Sequence, residues 1–236
     1  MDRAAPVRRL EGETMGTVWQ LALAGGPADP RAIVERVAGE VISESSLWVV
    51  DSEISRFNRT APGHPIALSP GFAQAIAAAL AVAADSDGAF DPALGEHAAL
   101  WGFGPAGEQP LPQGLPLAGR WRELALRDGA MARRDGVQLD LNGIAKGQAV
   151  DRIAAALHEA GCRHFLLGIG GEYRGEGVRP DGQPWWVEVE MPPGAALPAL
   201  RIALAGLSIA TSGDYRRAFL HAGRRFSHSI DPRKIG

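Results

Sequence analysis

The segment from Leu139 to Asp151 constrains the fold of this chain more than any other stretch. A short apolar approach ends at Asp140, a tight loop follows, and a helical pattern then begins with Lys146 in its first turn. Apolar residues recur at helical spacing beyond it, and Gly161 stands where a left-handed cap would end the helix. An acid, a tight turn, helix N–H groups and a cation form a cradle that suits a phosphate with its metal. The alternative is a strand-to-helix turn with a solvated lysine.

Composition and charge narrow the class of protein. The 236 residues suit one large domain or two small lobes, and the 46% hydrophobic content is that of an ordinary globular chain. A net charge of -3 gives no electrostatic case for nucleic acid, so no nucleic-acid partner is expected. The N-terminus lacks the apolar core of a signal peptide. As written, the sequence therefore predicts a cytoplasmic protein, or a periplasmic, membrane-anchored one if an N-terminal segment was removed.

Helical and strand patterns follow one another irregularly along the chain. Helices are predicted from about Arg31 to about Trp48 and from Pro70 to the turn at Asp85, each after an N-cap followed by proline. The first strand is predicted at Val18–Leu23, and His164–Gly171 is predicted to be a buried strand that runs into a glycine turn. Three further strands are predicted at 185–190, 200–204 and 207–210. Without a regular βαβ order, an α+β fold with mixed or antiparallel sheets flanked by helices is favoured over a doubly wound sheet.

Several common sites are excluded by their patterns. Residues 168–173 begin like a dinucleotide fingerprint, but Tyr173 occupies the third glycine position and no helical pattern follows. The six histidines lack zinc-helix spacing, and the one cysteine, Cys162, lies in an apolar neighbourhood. No serine has the context of a nucleophile elbow.

Six short motifs rich in Gly, Asp, Ser and Thr remain. They are Met15-Gly16-Thr17, Ser55-Arg56-Phe57-Asn58, Gly88-Ala89-Phe90-Asp91-Pro92, residues 140–151, Thr211-Ser212-Gly213-Asp214-Tyr215, and Ser227-His228 with Ile230-Asp231-Pro232-Arg233. Each is weak alone, but their order and spacing resemble those of the ApbE family, the FAD:protein FMN transferases. The resemblance runs from about Glu13 to the final residues. It implies a single ApbE-like domain over residues 1–236, with a two-lobed architecture related to the T-fold and the active site between the lobes.

The resemblance also implies an activity. Such an enzyme cleaves the pyrophosphate of FAD, joins FMN through a phosphoester to a Thr or Ser of a target flavoprotein, and releases AMP. Family targets are flavin-carrying subunits of membrane redox complexes. The implied substrate is FAD, and Mg²⁺ is the expected ion because it takes oxygen ligands and bridges phosphate oxygens. The sequence leaves a homodimer open.

The family's contacts carry over to particular residues of this sequence. The implied flavin-nucleotide contacts are Met15, Trp48, Ala89, Phe90, Asp91, Asp140, Lys146 and Ile230, and the carbonyl of Gly143 matches a magnesium ligand. Trp48 stacks on a flavin or adenine ring, or else completes the apolar stripe of its helix. Asp91 accepts hydrogen bonds from a base or sugar, or else caps the turn before Pro92.

His228 and Asp140 are the catalytic candidates. His228 is implied as the base for the acceptor hydroxyl, because free histidine titrates near neutrality. The alternative is a strand-end hydrogen-bonding role for His228. Asp214 is expected to shape the site near the phosphates or to cap its turn.

The sequence departs from the family at its end. The family continues past Asp231-Pro232-Arg233 into a strand and an Ala-Asp-Ala-x-x-Thr helix start that completes the magnesium shell, whereas Lys234-Ile235-Gly236 stand here. A C-terminally incomplete domain is therefore expected. The alternative function is an FAD-binding protein without transferase turnover, because those metal ligands are absent.

Overall fold

The computed structural model describes residues 6–105, 107, 119–194, 196, 198–213, 218–221 and 224–234. Its elements in chain order are β1 (Val7–Thr14), β2 (Thr17–Ala24), α1 (Pro30–Ser45), α2 (Glu53–Arg59), β3 (Pro65–Ala67), α3 (Pro70–Asp85), α4 (Gly95–Leu100), a 3-10 turn (Arg120–Glu123), β4 (Ala130–Ala132), α5 (Asn142–Glu159), β5 (Phe165–Ile169), β6 (Glu172–Glu176), β7 (Trp185–Glu188), β8 (Arg201–Leu204), β9 (Leu207–Ile209), β10 (Ala218–His221), β11 (Arg224–Ser227) and a second 3-10 turn (Pro232–Lys234).

The chain divides into two compact units. The sheet unit comprises Met1–Glu40 and Lys146–Tyr215, and the helical unit comprises Val41–Ala145 and Arg216–Gly236. Helices and antiparallel sheets are both present, which confirms the predicted α+β class.

The sheet unit is built on an antiparallel sheet of five strands in the order β1-β2-β5-β6-β9. Its central strands β2 and β5 pair Trp19 with Ile169 and Leu21 with Leu167, so one face of the sheet is continuously apolar and buried. Helices lie against that face: Arg31 of α1 stacks over the Trp19 ring, and His158 of α5 makes an edge contact with Phe165. The hairpin of β7 and β8 packs on the opposite face through Trp185, Val187 and Leu204. These three layers bury the sheet on both sides.

The helical unit has its own apolar core. Helices α2 and α3 contribute Ile54, Phe57, Phe72 and Ile76, all fully or almost fully buried. The approach to α5 adds Leu139 and Leu141, and the short β3–β4 pair adds Met131. Helix α3 begins as predicted, because the Ser69 hydroxyl accepts from the Phe72 N–H at 3.2 Å and proline follows the cap.

Two predictions about the first hundred residues are wrong. Val18–Leu23 forms a strand as predicted, but it is the second and not the first, because β1 precedes it and pairs with it as a hairpin. Helix α1 stops at Ser45 and not near Trp48, because the hydroxyls of Ser52 and Ser55 donate to the Ser46 carbonyl and turn the chain there. Among the described residues, no helix combines the length and apolar content that crossing a membrane requires.

Candidate functional site

The helical unit brings two of the predicted site segments together. The Asp140 N–H donates to the Pro92 carbonyl at 2.9 Å, so the end of residues 88–92 is tied to the start of 140–143. A Cβ built on Gly143 would lie 3.1 Å from the Phe90 ring, so that ring lies against the first turn of α5. The contacts predicted at Ala89–Asp91, Asp140 and Gly143 therefore share one place.

A side-chain clamp fixes the residue directly before Asp140. The Asn58 amide donates to the Leu139 carbonyl at 2.9 Å and accepts from the Leu139 N–H at 2.8 Å, across 81 positions of sequence. Leu139 is fully buried, so these two bonds satisfy backbone groups that water cannot reach. The clamp therefore fixes the position of the backbone from which the Asp140 side chain extends.

Asp140 is a half-buried acid beside the N-terminus of α5. One of its carboxylate oxygens accepts from the Asn142 N–H at 2.7 Å. Burial raises the pKa of Asp140, and the hydrogen bonds from the backbone and side chain of Asn142 oppose that rise. A cation beside this carboxylate would favour its charged form.

Asp91 uses both carboxylate oxygens for local structure. One accepts from the Ala93 N–H at 2.8 Å and the other from the Gly119 N–H at 2.9 Å, and the side chain is buried. Of the two roles that the sequence left open for Asp91, this is the turn-capping one. A flavin contact of its segment stays a prediction.

The sheet unit gathers a second group of polar residues at the glycine turn after β5. Lys146 of α5 donates to both carboxylate oxygens of Glu172, at 2.7 and 2.9 Å. A Cβ built on Gly170 would lie 3.3 Å from the Thr17 hydroxyl oxygen, and one built on Gly171 would lie 3.0 Å from that of Thr211. Lysine, glutamate and two threonine hydroxyls therefore surround this turn.

The Met15-Gly16 turn stands at the same end of the sheet, between β1 and β2. Met15 is half-buried and has a left-handed backbone with φ 50°, and Gly16 follows with φ 69°. Two consecutive positive φ angles are typical of the tight hairpin turn that matches strand twist. The turn pins Thr17 at the start of β2, next to the glycine turn.

His228 and Ile230 follow β11 in the helical unit. The His228 side chain is exposed, and its ring makes an edge contact with Phe103 at 6.2 Å between centroids. Ile230 is partly buried, and Arg233 forms hydrogen-bonded ion pairs with Asp231 just beyond it. Asp214 and Tyr215 of the Thr211 motif lie outside the described residues.

Trp48 stands on the exposed turn between α1 and α2. Its side chain is 53% exposed, so it does not complete the apolar stripe of α1, and that alternative is wrong. Val34, Val37 and Val41 form the stripe without it and are buried. The flavin-stacking role of Trp48 stays a prediction.

With this geometry in view, comparisons with known proteins identify the family. A sequence profile of the ApbE family matches residues 15–235. The chain belongs to the ApbE family.

Individual ApbE relatives align over almost the whole chain. It is 33% identical to the FAD:protein FMN transferase of Haemophilus influenzae, over 95% of this chain and 70% of that protein. It is 34% identical to the FAD:protein FMN transferase of Vibrio cholerae, over 98% of this chain and 73% of that protein. The apo crystal structure of the flavinyl transferase ApbE of Pseudomonas stutzeri superposes with a TM-score of 0.87 at 34% identity, covering 97% of this chain and 75% of that one.

Two residues for which the sequence predicted no role, Asn58 and Glu172, position the others. Asn58 closes its motif as the polar residue after buried Phe57, and that placement is the signal that its amide faces inward. Glu172 follows directly after two glycines, yet its partner Lys146 stands 26 positions earlier. Only the fold pairs these two.

The fit of magnesium to this ApbE chain depends on Asp140. No group of three or more His, Cys, Asp or Glu side chains that could hold a metal occurs within the part of the chain that the structure describes. Magnesium in phosphate-handling sites commonly takes one or two carboxylates, with substrate phosphates and water completing its shell. Asp140, whose pKa is raised by burial, and the carbonyl of Gly143 with its second lone pair suit that arrangement. The residues thus fit an ion that arrives with a phosphate ligand.

Proposed function

We propose that this chain is an FAD:protein FMN transferase, which attaches FMN covalently to a flavoprotein. Its membership of the ApbE family and its relatives of that name support the proposal. The structural observation that carries it is the half-buried Asp140 at the start of α5, whose backbone N–H is bonded to the segment that contains Phe90. Burial makes the charged form of Asp140 unfavourable unless a cation lies beside it, and the N-terminus of a helix attracts an anion. A phosphate with its metal ion would satisfy both groups.

The transfer exchanges the phosphoanhydride bond of FAD for a phosphoester bond to the acceptor. The hydroxyl oxygen of an acceptor Thr or Ser attacks the phosphorus of the FMN half of FAD. A new P–O bond forms, the anhydride bond breaks, and AMP leaves with the bridging oxygen. The hydroxyl proton passes to a base, and we assign His228 to that role because imidazole accepts protons near neutral pH.

The other residues bind and orient the pyrophosphate. Lys146 offers a point charge to a phosphate oxygen. Asp140 and the Gly143 carbonyl would hold Mg²⁺, which supplies charge neutralisation on the pyrophosphate when bound. Met15, Trp48, Ile230 and the segment Ala89–Asp91 contact the flavin nucleotide in this proposal. Because phosphoryl-type transfer needs little covalent help from the protein, positioning and charge supply most of the rate.

The acceptor that we propose is a flavin-carrying subunit of a membrane redox complex. An extended segment of such a subunit would present its Thr or Ser hydroxyl to the phosphorus, with His228 on the side of the attacking oxygen. Homodimer formation and the cellular compartment stay predictions.

The test is a transfer assay with purified chain. It is incubated with FAD, Mg²⁺ and a peptide that carries an acceptor threonine, and the mass of the peptide is then measured by mass spectrometry. A mass gain equal to FMN, with AMP released in equal amount, supports transfer. Tight FAD binding without a mass gain leaves only a binding protein, and absence of FAD binding rejects both functions.

Two single histidine variants test the assignment of His228 as the base. His228→Ala is expected to keep FAD binding and to lower the transfer rate at least about 100-fold, the size of a general-base contribution. His64→Ala removes another exposed histidine, whose ring contacts only the local Pro62 carbonyl among the described contacts, and it should transfer at the wild-type rate. Equal rates for the two variants would remove His228 from the mechanism.

A further inference from the structure

Within the part of the chain that the structure describes, the side chain of Lys146 bonds to Glu172, and this pairing leaves one N–H of the ammonium unused. Both carboxylate oxygens accept from Nζ, at 2.7 and 2.9 Å, while an ammonium carries three N–H bonds. The Glu172 side chain is 15% exposed and that of Lys146 is 36% exposed, so the pair is enclosed on the glutamate side and open on the lysine side. The third N–H is therefore available to an anion from solvent.

Glu172 is the first of three charged residues that join β6 to α5. Glu172, Arg174 and Glu176 alternate along the strand and so lie on one face of the sheet. Arg174 pairs with Asp151 of α5 at 2.9 Å, and Glu176 approaches His158 of α5 at 3.6 Å. Each of the three residues thus contacts a different residue of α5, and among the described contacts Lys146 is the partner of Glu172.

Glu172 lies directly beside the glycine turn after β5. The residue begins β6 opposite Ile169, and two glycines connect the strands. A Cβ built on Gly170 would lie 3.6 Å from a Glu172 carboxylate oxygen as well as 3.3 Å from the Thr17 hydroxyl oxygen. The carboxylate therefore lies within van der Waals distance of this turn, next to the Met15-Gly16-Thr17 hairpin.

We propose that Glu172 is the positioning residue of Lys146 in FMN transfer, an inference that rests on the proposed function. Accepting two of the three ammonium hydrogens, Glu172 holds a long and flexible side chain in one orientation and directs the third N–H at a phosphate oxygen of FAD. A free lysine has many rotamers and would sample this geometry only part of the time. Glu172 itself does not touch the substrate.

This role separates the rate of transfer from the affinity for FAD. Removing the charge of Glu172 loosens Lys146, which weakens FAD binding, but it also leaves the ammonium charge unshielded, which strengthens binding to a phosphate. The two effects oppose each other in the ground state. In the transition state the Lys146 ammonium must lie at one position beside the phosphate, so the loss of its orientation lowers the rate of transfer.

The first test compares two glutamates of the same strand. Glu172→Gln keeps the shape of the side chain, and we expect kcat to fall about tenfold with KM for FAD changed less than about threefold. Glu176→Gln is the matched control, because Glu176 lies on the same face, is similarly buried at 13% exposure and is also ion-paired. It should leave kcat within about twofold, whatever its effect on thermal stability. A wild-type kcat for Glu172→Gln overturns the proposal.

A double-mutant cycle shows whether Glu172 acts through the lysine. Lys146→Ala removes the phosphate contact, and adding Glu172→Gln to it should change kcat less than about twofold, because the residue has nothing left to orient. Loss of a further factor of about ten in that background would assign Glu172 a merely structural role and overturn the inference.

A measurement that does not require FMN transfer tests this inference separately from the proposed function. The chain contains two lysines, Lys146 and Lys234, so trace acetylation followed by mass spectrometry reports on each, with Lys234 as the internal reference. In the absence of FAD, acetylation of Lys146 relative to Lys234 should rise at least about threefold in Glu172→Gln and stay unchanged in Glu176→Gln. An unchanged ratio in Glu172→Gln overturns the positioning role. A wild-type chain that transfers no FMN but shows this rise would refute the function and leave the positioning of the lysine standing.

Discussion

Truncation of Asn58 to alanine is expected to destabilise the helical unit and to disturb Asp140. The amide makes two hydrogen bonds to the backbone of Leu139, at 2.8 and 2.9 Å, and Leu139 is fully buried. Alanine would leave one buried N–H and one buried carbonyl without partners. Each orphaned group costs about 1–3 kcal/mol.

The expected total is about 2–4 kcal/mol, because a water that enters the space left by the amide would satisfy part of the loss. For a chain of this length each kcal/mol lowers Tm by about 2–4 °C. Asn58→Asp keeps the acceptor for the Leu139 N–H but sets an anionic oxygen against the Leu139 carbonyl, so its loss should be no smaller than that of alanine.

Urea unfolding followed by circular dichroism measures the free energy, and calorimetric titration with FAD measures the effect on the site. Gln74→Ala is the matched control, since it truncates an exposed amide on α3 and should change the free energy of unfolding by less than about 0.5 kcal/mol. If Asn58→Ala unfolds within that margin of the wild type, or destabilises the protein yet binds FAD with unchanged affinity, the clamp does not position Asp140.

Three more outcomes test individual contacts. Burial raises the pKa of Asp140 above the ordinary aspartate value of about 3.9. At a pH between these two values, the carboxyl group is protonated in the folded protein and ionised in the unfolded chain. The free energy of unfolding therefore falls as pH rises through that window. Calorimetry should therefore show Asp140→Asn melting above the wild type at pH 7 and equal to it near pH 3, with FAD affinity reduced; a lower Tm at pH 7 would contradict the burial argument. Asp91→Asn should cost about 1–3 kcal/mol in urea unfolding, because an amide accepts from only one of the Ala93 and Gly119 N–H groups. Gly168→Ala should cost about 1–3 kcal/mol, since its Cβ would overlap the Tyr173 ring, and adding Tyr173→Ala should make the pair less destabilised than the sum of the two single changes.

Helices and strands with clear local signals, such as a cap, a proline or an apolar stripe, were predicted correctly from the sequence. Helix α3 has a serine cap, a proline and an apolar stripe at helical spacing, and it forms from Pro70 to Asp85. The glycine turn after β5 leads into a strand and not a helix, which confirms that residues 168–173 are no dinucleotide fingerprint. Strand β1 escaped prediction because Val7–Thr14 is an edge strand in which charged residues outnumber large apolar ones.

The sequence predicted the motifs of the candidate site, but not which of their residues contact one another. The joining of Asp140 to Pro92 and of Lys146 to Glu172 depends on which strands and loops the fold sets side by side, and no periodicity encodes that. The two alternatives for Asp91 differed only in which N–H groups reach the carboxylate, and one of these belongs to Gly119, 28 positions away. The end of α1 was missed for the same reason, because the hydroxyls that stop it come from Ser52 and Ser55.

The left-handed backbone at Met15 has a consequence for engineering this hairpin. A side chain at positive φ costs about 1 kcal/mol relative to glycine, and asparagine tolerates the same angle well. A search for stabilising substitutions would therefore select Gly or Asn at position 15, which together with Gly16 makes the preferred two-residue turn. Such a change would remove the thioether that the flavin is proposed to meet. The hairpin is thus a place where thermal stability and ligand contact make opposite demands on one residue, and a more stable variant is expected to be a weaker enzyme.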